Sequence, residues 1–328
     1  MTDLRITRRA AMAGAMTTTL AAGTARAADE WPTRTVSWIV PFPAGGGSDM
    51  FARPVAARVA DAIGESVVID NRSGAGGTVG TAVAARAAPD GYTLLVGDTG
   101  LVYAPTIYPK AGFDFLKDFA PIAAFGRVPY ALVINPAKVD VANLEAFIEL
   151  AKKAPGSIDI GSAGLGTVTH LAIGLFEGRS GTKLTHIPYR GGAPMLQDLL
   201  AGQIGAAFVL VTAVAGHVRS GKLKALAVIN RRRDALLPDV PTAHEAGLLE
   251  FRMTTWFGLF APIRTPDAIL DRIHAAVQQA LGSDEVKRLW AEHGARVVLE
   301  SRADFANFIG REAERWTRIA KAANVQLE

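Results

Sequence analysis

Two glycine-rich turns carry the residue types most capable of chemistry in this sequence. The first reads Phe42-Pro43-Ala44-Gly45-Gly46-Gly47-Ser48-Asp49. It follows an apolar run, Val36 to Val40, and precedes a stretch in which Phe51, Val55, Val59 and Ile63 recur every fourth residue. That order is strand, tight turn, helix. Glycine lets backbone come close to a ligand, Ser48 is a good N-cap, and the first amides of a helix have no intrahelical partner, so the natural guest of such a turn is an anion. The same glycines would also serve as a plain strand-to-helix connection. The second turn, Gly161-Ser162-Ala163-Gly164-Leu165-Gly166-Thr167, repeats the device after Ile158-Asp159-Ile160, with Thr167 or Thr169 as cap of the next helix.

Spacing removes the named nucleotide motifs. A dinucleotide fingerprint beginning at Gly45 needs glycine where Met50 stands, and one beginning at Gly164 breaks at Thr169. Neither turn ends in the Gly-Lys-Ser/Thr of a phosphate loop. A nucleophile elbow around Ser48 would also need glycine at Met50. The histidines form neither a His-Glu-x-x-His nor a His-x-His site, and His170 reads as a capping or core histidine. Asp49, in the first turn of its helix, reads as a dipole-stabilising acid. No catalytic constellation, metal site or cofactor site emerges.

The elements that must hold these turns alternate in type. From Thr35 to Gly97 the order is strand, helix, strand, helix, strand, which implies a parallel right-handed α/β sheet with ligands at the carboxyl ends of its strands. Thr99, just past the third strand, is a cleft candidate. Gly74-Ala75-Gly76-Gly77 follows the second strand, expected at the sheet edge, and reads as a structural turn. Residues 97–122 show little periodicity. Extended runs at Pro121 to Gly126 and Tyr130 to Ile134 then open a second α/β series that closes with Lys224 to Ile229. Three helices end the chain, and Arg311, Glu312, Glu314 and Arg315 read as a solvated face of the last. The expected architecture is two doubly wound α/β sheets joined by a double hinge: one lobe from residues 28–126 and 230–328, the other from 127–229.

Residues 1–27 read as an export signal. Arg8-Arg9 precedes a mild apolar run, and Ala25-Arg26-Ala27 is a small-x-small cleavage site. The run is too short for a permanent membrane span, and both twin-arginine and Sec routes remain open, since Ala11 stands where a bulky apolar residue usually follows the arginine pair. Without this segment the 35 basic and 31 acidic residues fall to 31 and 30, which gives no electrostatic case for nucleic acid or an anionic membrane. With no cysteine, disulfides and thiolate metal sites are excluded.

Several stretches together carry a family resemblance: Pro41 to Asp49, Asp70-Asn71-Arg72-Ser73-Gly74-Ala75-Gly76-Gly77, Pro89-Asp90-Gly91-Tyr92-Thr93-Leu94, Ile187-Pro188-Tyr189-Arg190-Gly191-Gly192, and Leu237 to Thr242 with Glu245-Ala246-Gly247. In this order they resemble the Bug receptors, the extracytoplasmic solute receptors of tripartite tricarboxylate transporters. The resemblance covers essentially the whole mature chain. It implies a two-lobed, type II-like periplasmic binding protein that closes on a small carboxylate, a monomer serving membrane transporter subunits. The ligand would be held mainly by backbone amides and waters around Phe42, Ala44, Gly45, Gly46, Gly47, Ser48 and Asp49 on one lobe. Thr99 and, on the other lobe, Ser162, Ala163, Gly164, Gly166 and Thr167 complete the expected site. Three departures from the family pattern stand out: Ala104 before Pro105, Gly205 in place of an acid, and Pro54 inside the first long helix. An exported hydrolase or isomerase on the same scaffold is the alternative, because fold alone does not separate receptor from enzyme.

Overall fold

Strand β1 (Val36–Val40) is buried on both faces, with Trp38 and Val40 entering one core and Ile39 another. A strand of near-continuous apolar residues needs that double cover. Helix α1 (Gly47–Ile63) supplies part of one layer through Phe51, Val55 and Val59, and ends at Gly64 in the left-handed conformation. The computed structural model describes residues 31–249, 251–292 and 295–322, so the expected export segment lies outside the described residues.

After α1 come β2 (Val67–Asn71), α2 (Thr78–Ala85), β3 (Thr93–Asp98), α3 (Thr99–Ile107) and the short α4 (Phe115–Asp118). The aperiodic segment of the sequence thus contains α3, whose residues Leu101, Tyr103, Ala104 and Ile107 are buried on several sides. A helix covered all round shows no amphipathic period. Strand β4 (Phe119–Ile134) runs 16 residues without a break, where the sequence suggested two separate runs. Its register shifts near Pro121 and Ala124 in the part paired with β9, and between Leu132 and Val133 in the part paired with β8, both introduced below.

The second series comprises α5 (Leu144–Lys153), β5 (Asp159–Ser162), α6 (Val168–Ser180), β6 (Thr185–Pro188), α7 (Gly192–Leu200), β7 (Ala206–Leu210), α8 (Val211–Arg219) and β8 (Lys224–Val228). The chain then forms β9 (Thr254–Pro262), α9 (Asp267–Gly282), α10 (Asp284–Glu292), β10 (Arg296–Val297) and α11 (Arg302–Ala322).

One sheet has the order β2-β1-β3-β9-β4 and the other β4-β7-β5-β6, with β10 and β8 also pairing with β4. Strands β1, β2 and β3 are mutually parallel, as are β5, β6 and β7, but β9 is antiparallel to β3 and β4 is antiparallel to β7, β8 and β9. Each sheet is therefore mixed, and the long β4 belongs to both. This is the two-lobed periplasmic binding protein architecture, with the lobes joined through a shared strand. The C-terminal helices cover the first lobe: Trp316 stacks on Tyr103 at 5.7 Å, and Trp290 meets Phe51 edge-on at 4.9 Å. The segment that follows β8 packs on the second lobe, where Phe251 meets Phe176 and Phe208.

Candidate functional site

The carboxyl ends of the parallel strands in both lobes open onto one cleft, as expected for ligands of α/β sheets. It contains an inner chamber of about 280 Å³ and an outer one of about 630 Å³ that share Phe42, Pro43, Gly76, Ala163 and Gly191 in their walls. The starts of α1, α6, α7 and α8 all reach the inner wall, which is otherwise mainly apolar: Met50, Val168, Met195, Phe208, Leu210 and Phe257 line it. Polar lining comes from Ser48, Asp98, Tyr130, Thr167, Thr169 and Gln197. A mostly apolar concavity with a few converging polar groups is the usual form of a small-molecule site.

On the first lobe, the turn is fixed from behind. Asp49 accepts the Gly45 amide at 2.9 Å and receives two bonds from Arg53, each 2.8 Å. It also accepts Asn71 Nδ2 at 2.9 Å, and the same Asn71 nitrogen donates to the Phe42 carbonyl at 3.0 Å. Burial pushes the Asp49 carboxyl upward, but these donors more than offset it, so the group stays below its ordinary range. Asp49 lies outside the chamber lining and shapes the turn. Ser48 does not cap the helix as its type suggested: Gly46 is the N-cap and Ser48 is the second helical residue, since α1 begins at Gly47, two residues before the start a Ser48 cap would give. That start leaves the amides of Gly47, Ser48 and Asp49 without an intrahelical carbonyl.

On the second lobe, the turn between β5 and α6 is held by side chains of the helix it feeds. Thr169 Oγ1 accepts the Ala163 amide at 2.8 Å, and His170 Nδ1 accepts the Gly166 amide at 3.0 Å. Thr167, the N-cap, donates its hydroxyl to the Gly164 carbonyl at 2.7 Å. Gly164 (φ 134°) and Gly166 (φ 73°) occupy conformations that favour glycine. Behind the turn, His170 and His186 stack with ring centroids 4.3 Å apart, and Ser162 Oγ lies 2.6 Å from His186 Nε2. Burial lowers the pKa of both rings, that of His186 to about 4 with His170 adding to the effect, so both are neutral at pH 7.

Of the residues singled out from sequence, Phe42, Gly45, Gly46, Gly47, Ser48, Ala163 and Thr167 line the inner chamber, and Gly164 lines the outer one. Ala44, Asp49, Ser162 and Gly166 line neither chamber. Thr99 is fully buried, where its Oγ1 accepts from the Thr255 hydroxyl and the Trp256 amide, each at 3.1 Å, and ties α3 to β9. The Gly74-Ala75-Gly76-Gly77 turn faces the outer chamber, although β2 is at the sheet edge as expected. Sequence reasoning passed over Asp98, Tyr108 and the start of α7. Gly191-Gly192 ahead of a helical stretch was the available signal for α7. Tyr108, from the first lobe, donates its hydroxyl to the Leu165 carbonyl of the second, and the Cβ positions of Gly76 and Gly166 would both run into its ring. The lobes therefore touch across the mouth.

Among the described residues, no helix is long and apolar enough to cross a membrane, and no group of three His, Cys, Asp or Glu side chains could hold a metal.

The family described as tripartite tricarboxylate transporter family receptor matches residues 51–325. Protein BugT of Bordetella pertussis is 36% identical over 327 residues, covering 99% of this chain and 100% of its own length. The structure is similar to that of R. palustris Rpa4515 with adipate, at 34% identity and a TM-score of 0.85, over 90% of this chain and 98% of that one. MatC from Rhodopseudomonas palustris with bound malate aligns at 34% identity and a TM-score of 0.83, over 88% and 100%. The chain belongs to the tripartite tricarboxylate transporter receptor family.

Proposed function

We propose that this receptor captures a small carboxylate between its two lobes and delivers it to the membrane subunits of a tripartite tricarboxylate-type transporter, acting as a monomer in the periplasm. The observation that carries the reading is the inner chamber, enclosed between the lobes and walled by helix N-termini on both sides. Adipate and malate in the similar structures support the carboxylate class. Gly47 and Ser48 on the first lobe are the residues we assign to the acid group, with Ala163 and Thr167 of the second lobe closing the wall of the same chamber. We place the hinge in β4 around Arg127 to Tyr130 and in the return crossing between Phe251 and Thr254. Support for the second position comes from the packing of Phe251 on second-lobe phenylalanines.

An exported hydrolase would need an accessible nucleophile beside a base. Ser162 and His186 have the required contact, but Ser162 is fully buried and lines neither chamber. We therefore read this pair as a strut behind the turn, and the protein as a receptor without catalytic activity. A thermal-shift screen of the purified chain against mono-, di- and tricarboxylates, amino acids and aromatic acids tests both readings. Ligand at about 100 times its dissociation constant adds about 2.7 kcal/mol of stability, a rise of several degrees. If only neutral sugars or simple cations shift the transition, the carboxylate assignment is wrong; if a candidate is consumed, the enzyme reading takes its place.

A further inference from the structure

The acid in the chamber does not fit a site built only for acids. Among the described residues lining the inner chamber, Asp98 alone carries a charged side chain. It is the last residue of β3 and the N-cap of α3, and its Oδ1 accepts the Gly100 amide at 2.8 Å. Its other oxygen, Oδ2, makes a long contact, 3.5 Å, with the Ser48 hydroxyl. Capping α3 needs one oxygen, and Ser, Thr or Asn would serve without bringing a charge into an apolar chamber. The second oxygen stands beside the start of α1, next to the amides that would hold a ligand carboxylate. A bare carboxylate there meets a like charge at close range, whereas a ligand with a donor adjacent to its acid group satisfies both sides at once.

We propose that Asp98 selects for a carboxylate that also carries a protonated nitrogen next to its acid group, mounted on an apolar body. This rests on the carboxylate-receptor reading above and narrows it. The acid group takes the α1 amides, the nitrogen donates to Asp98 Oδ2, and the remainder fills the space bounded by Met195, Phe208, Leu210 and Phe257. Arg190, exposed on the outer chamber wall, supplies the cation that draws the acid toward the cleft. The carboxyl of Asp98 titrates unusually high, at about 6, because burial outweighs the Gly100, Leu101 and Ser48 hydrogen bonds. The other titratable groups facing it are the phenols of Tyr103, from α3, and Tyr130, from β4, and both stay neutral across the physiological range. Affinity for such a ligand should therefore be level above pH 7 and decline as pH falls through about 6.

The test is isothermal titration of the full chain and of Asp98→Asn with matched pairs: each of a set of apolar α-amino acids, its deaminated acid and its 2-hydroxy acid. In the wild type, at least one amino acid should bind tenfold or more tighter than its deaminated partner, with the hydroxy acid between them. In Asp98→Asn the preference should shrink below threefold or reverse, and the affinity of the amino acid should lose its dependence on pH between 5 and 7. If deaminated acids bind as tightly as their amino partners in the wild type, the Asp98 proposal is overturned while the carboxylate receptor stands. Tighter binding of plain carboxylates below pH 6 also overturns it, since a protonated Asp98 would then be donating to the acid. If no carboxylate of any kind binds, both readings fall together.

Discussion

Asp98→Asn should make the empty receptor more stable at neutral pH, and the size of the gain can be worked from the site. Burial pushes the Asp98 carboxyl up to about 6 from an ordinary value of 3.8, against the opposing pull of the Gly100 and Leu101 amides and Ser48. The folded chain then holds this proton more tightly than the unfolded chain. Stability contributed by the protonated acid is fully present below pH 3.8 and is lost as pH rises through about 6. The gap corresponds to about 3 kcal/mol at 1.36 kcal/mol per pH unit. Asn resembles the protonated acid in being neutral and in keeping an oxygen for the Gly100 amide, so the substitution should recover about that much above pH 7 and nearly nothing at pH 3.5. For a chain this size the gain amounts to a rise of roughly 4–8 °C in melting temperature. Thermal unfolding of both forms at pH 3.5 and pH 8, without ligand, measures it. A melting temperature lowered by the same amount at both values would show that Asp98 is an ordinary cap with no desolvation penalty. A gain confined to high pH, accompanied by weaker ligand binding, is the signature of a residue kept for recognition at the expense of stability.

Gly46 has φ −76° and ψ 172°, open to any residue, and an added Cβ would meet only the Pro43 carbonyl at 3.2 Å. Gly46→Val should thus melt near the wild-type temperature while losing at least tenfold in carboxylate affinity by calorimetry; an unchanged affinity would remove this turn from the site. Gly166→Ala combines φ 73° with a Cβ 2.7 Å from Tyr108 Cε2, so it should destabilise the chain by about 1–3 kcal/mol in chemical denaturation. Tyr108→Phe deletes the hydroxyl that bridges to Leu165, worth about 0.5–1.5 kcal/mol to the closed form. Solution scattering of that variant should give a larger radius of gyration than the wild type, and saturating ligand should bring the two together.

How far the sequence discloses this protein depends on whether a feature is local. The start of helix α6 and the strand β8 follow from local signals, a capping threonine and the run Lys224 to Ile229, and in the structure both lie within a residue or two of them. Helix α3 does not, because it is enclosed by α11, α4, β3 and β9 and has no polar face to set a period. Glu312 was read as part of a solvated face, yet its carboxylate accepts Trp316 Nε1 at 3.0 Å beneath the helix; the i, i+4 spacing that brings the two together is present in the sequence, but the burial that makes the bond necessary is not. The glycine turns were visible since glycine itself is the signal. The groups that use up their amides, Asp49, Thr169 and His170, could be recognised only from the folded chain. Asp98 is the strongest case. As one acid after a strand, it suggests nothing beyond a helix cap. Its meaning arises when the end of β3 is set beside the start of α1, an arrangement created by the parallel pairing of β3 with β1, so that a carboxylate and a row of anion-seeking amides share one wall. A site that reads its ligand through main-chain groups accepts many acids, and a single misplaced charge among those groups is what can make it choose.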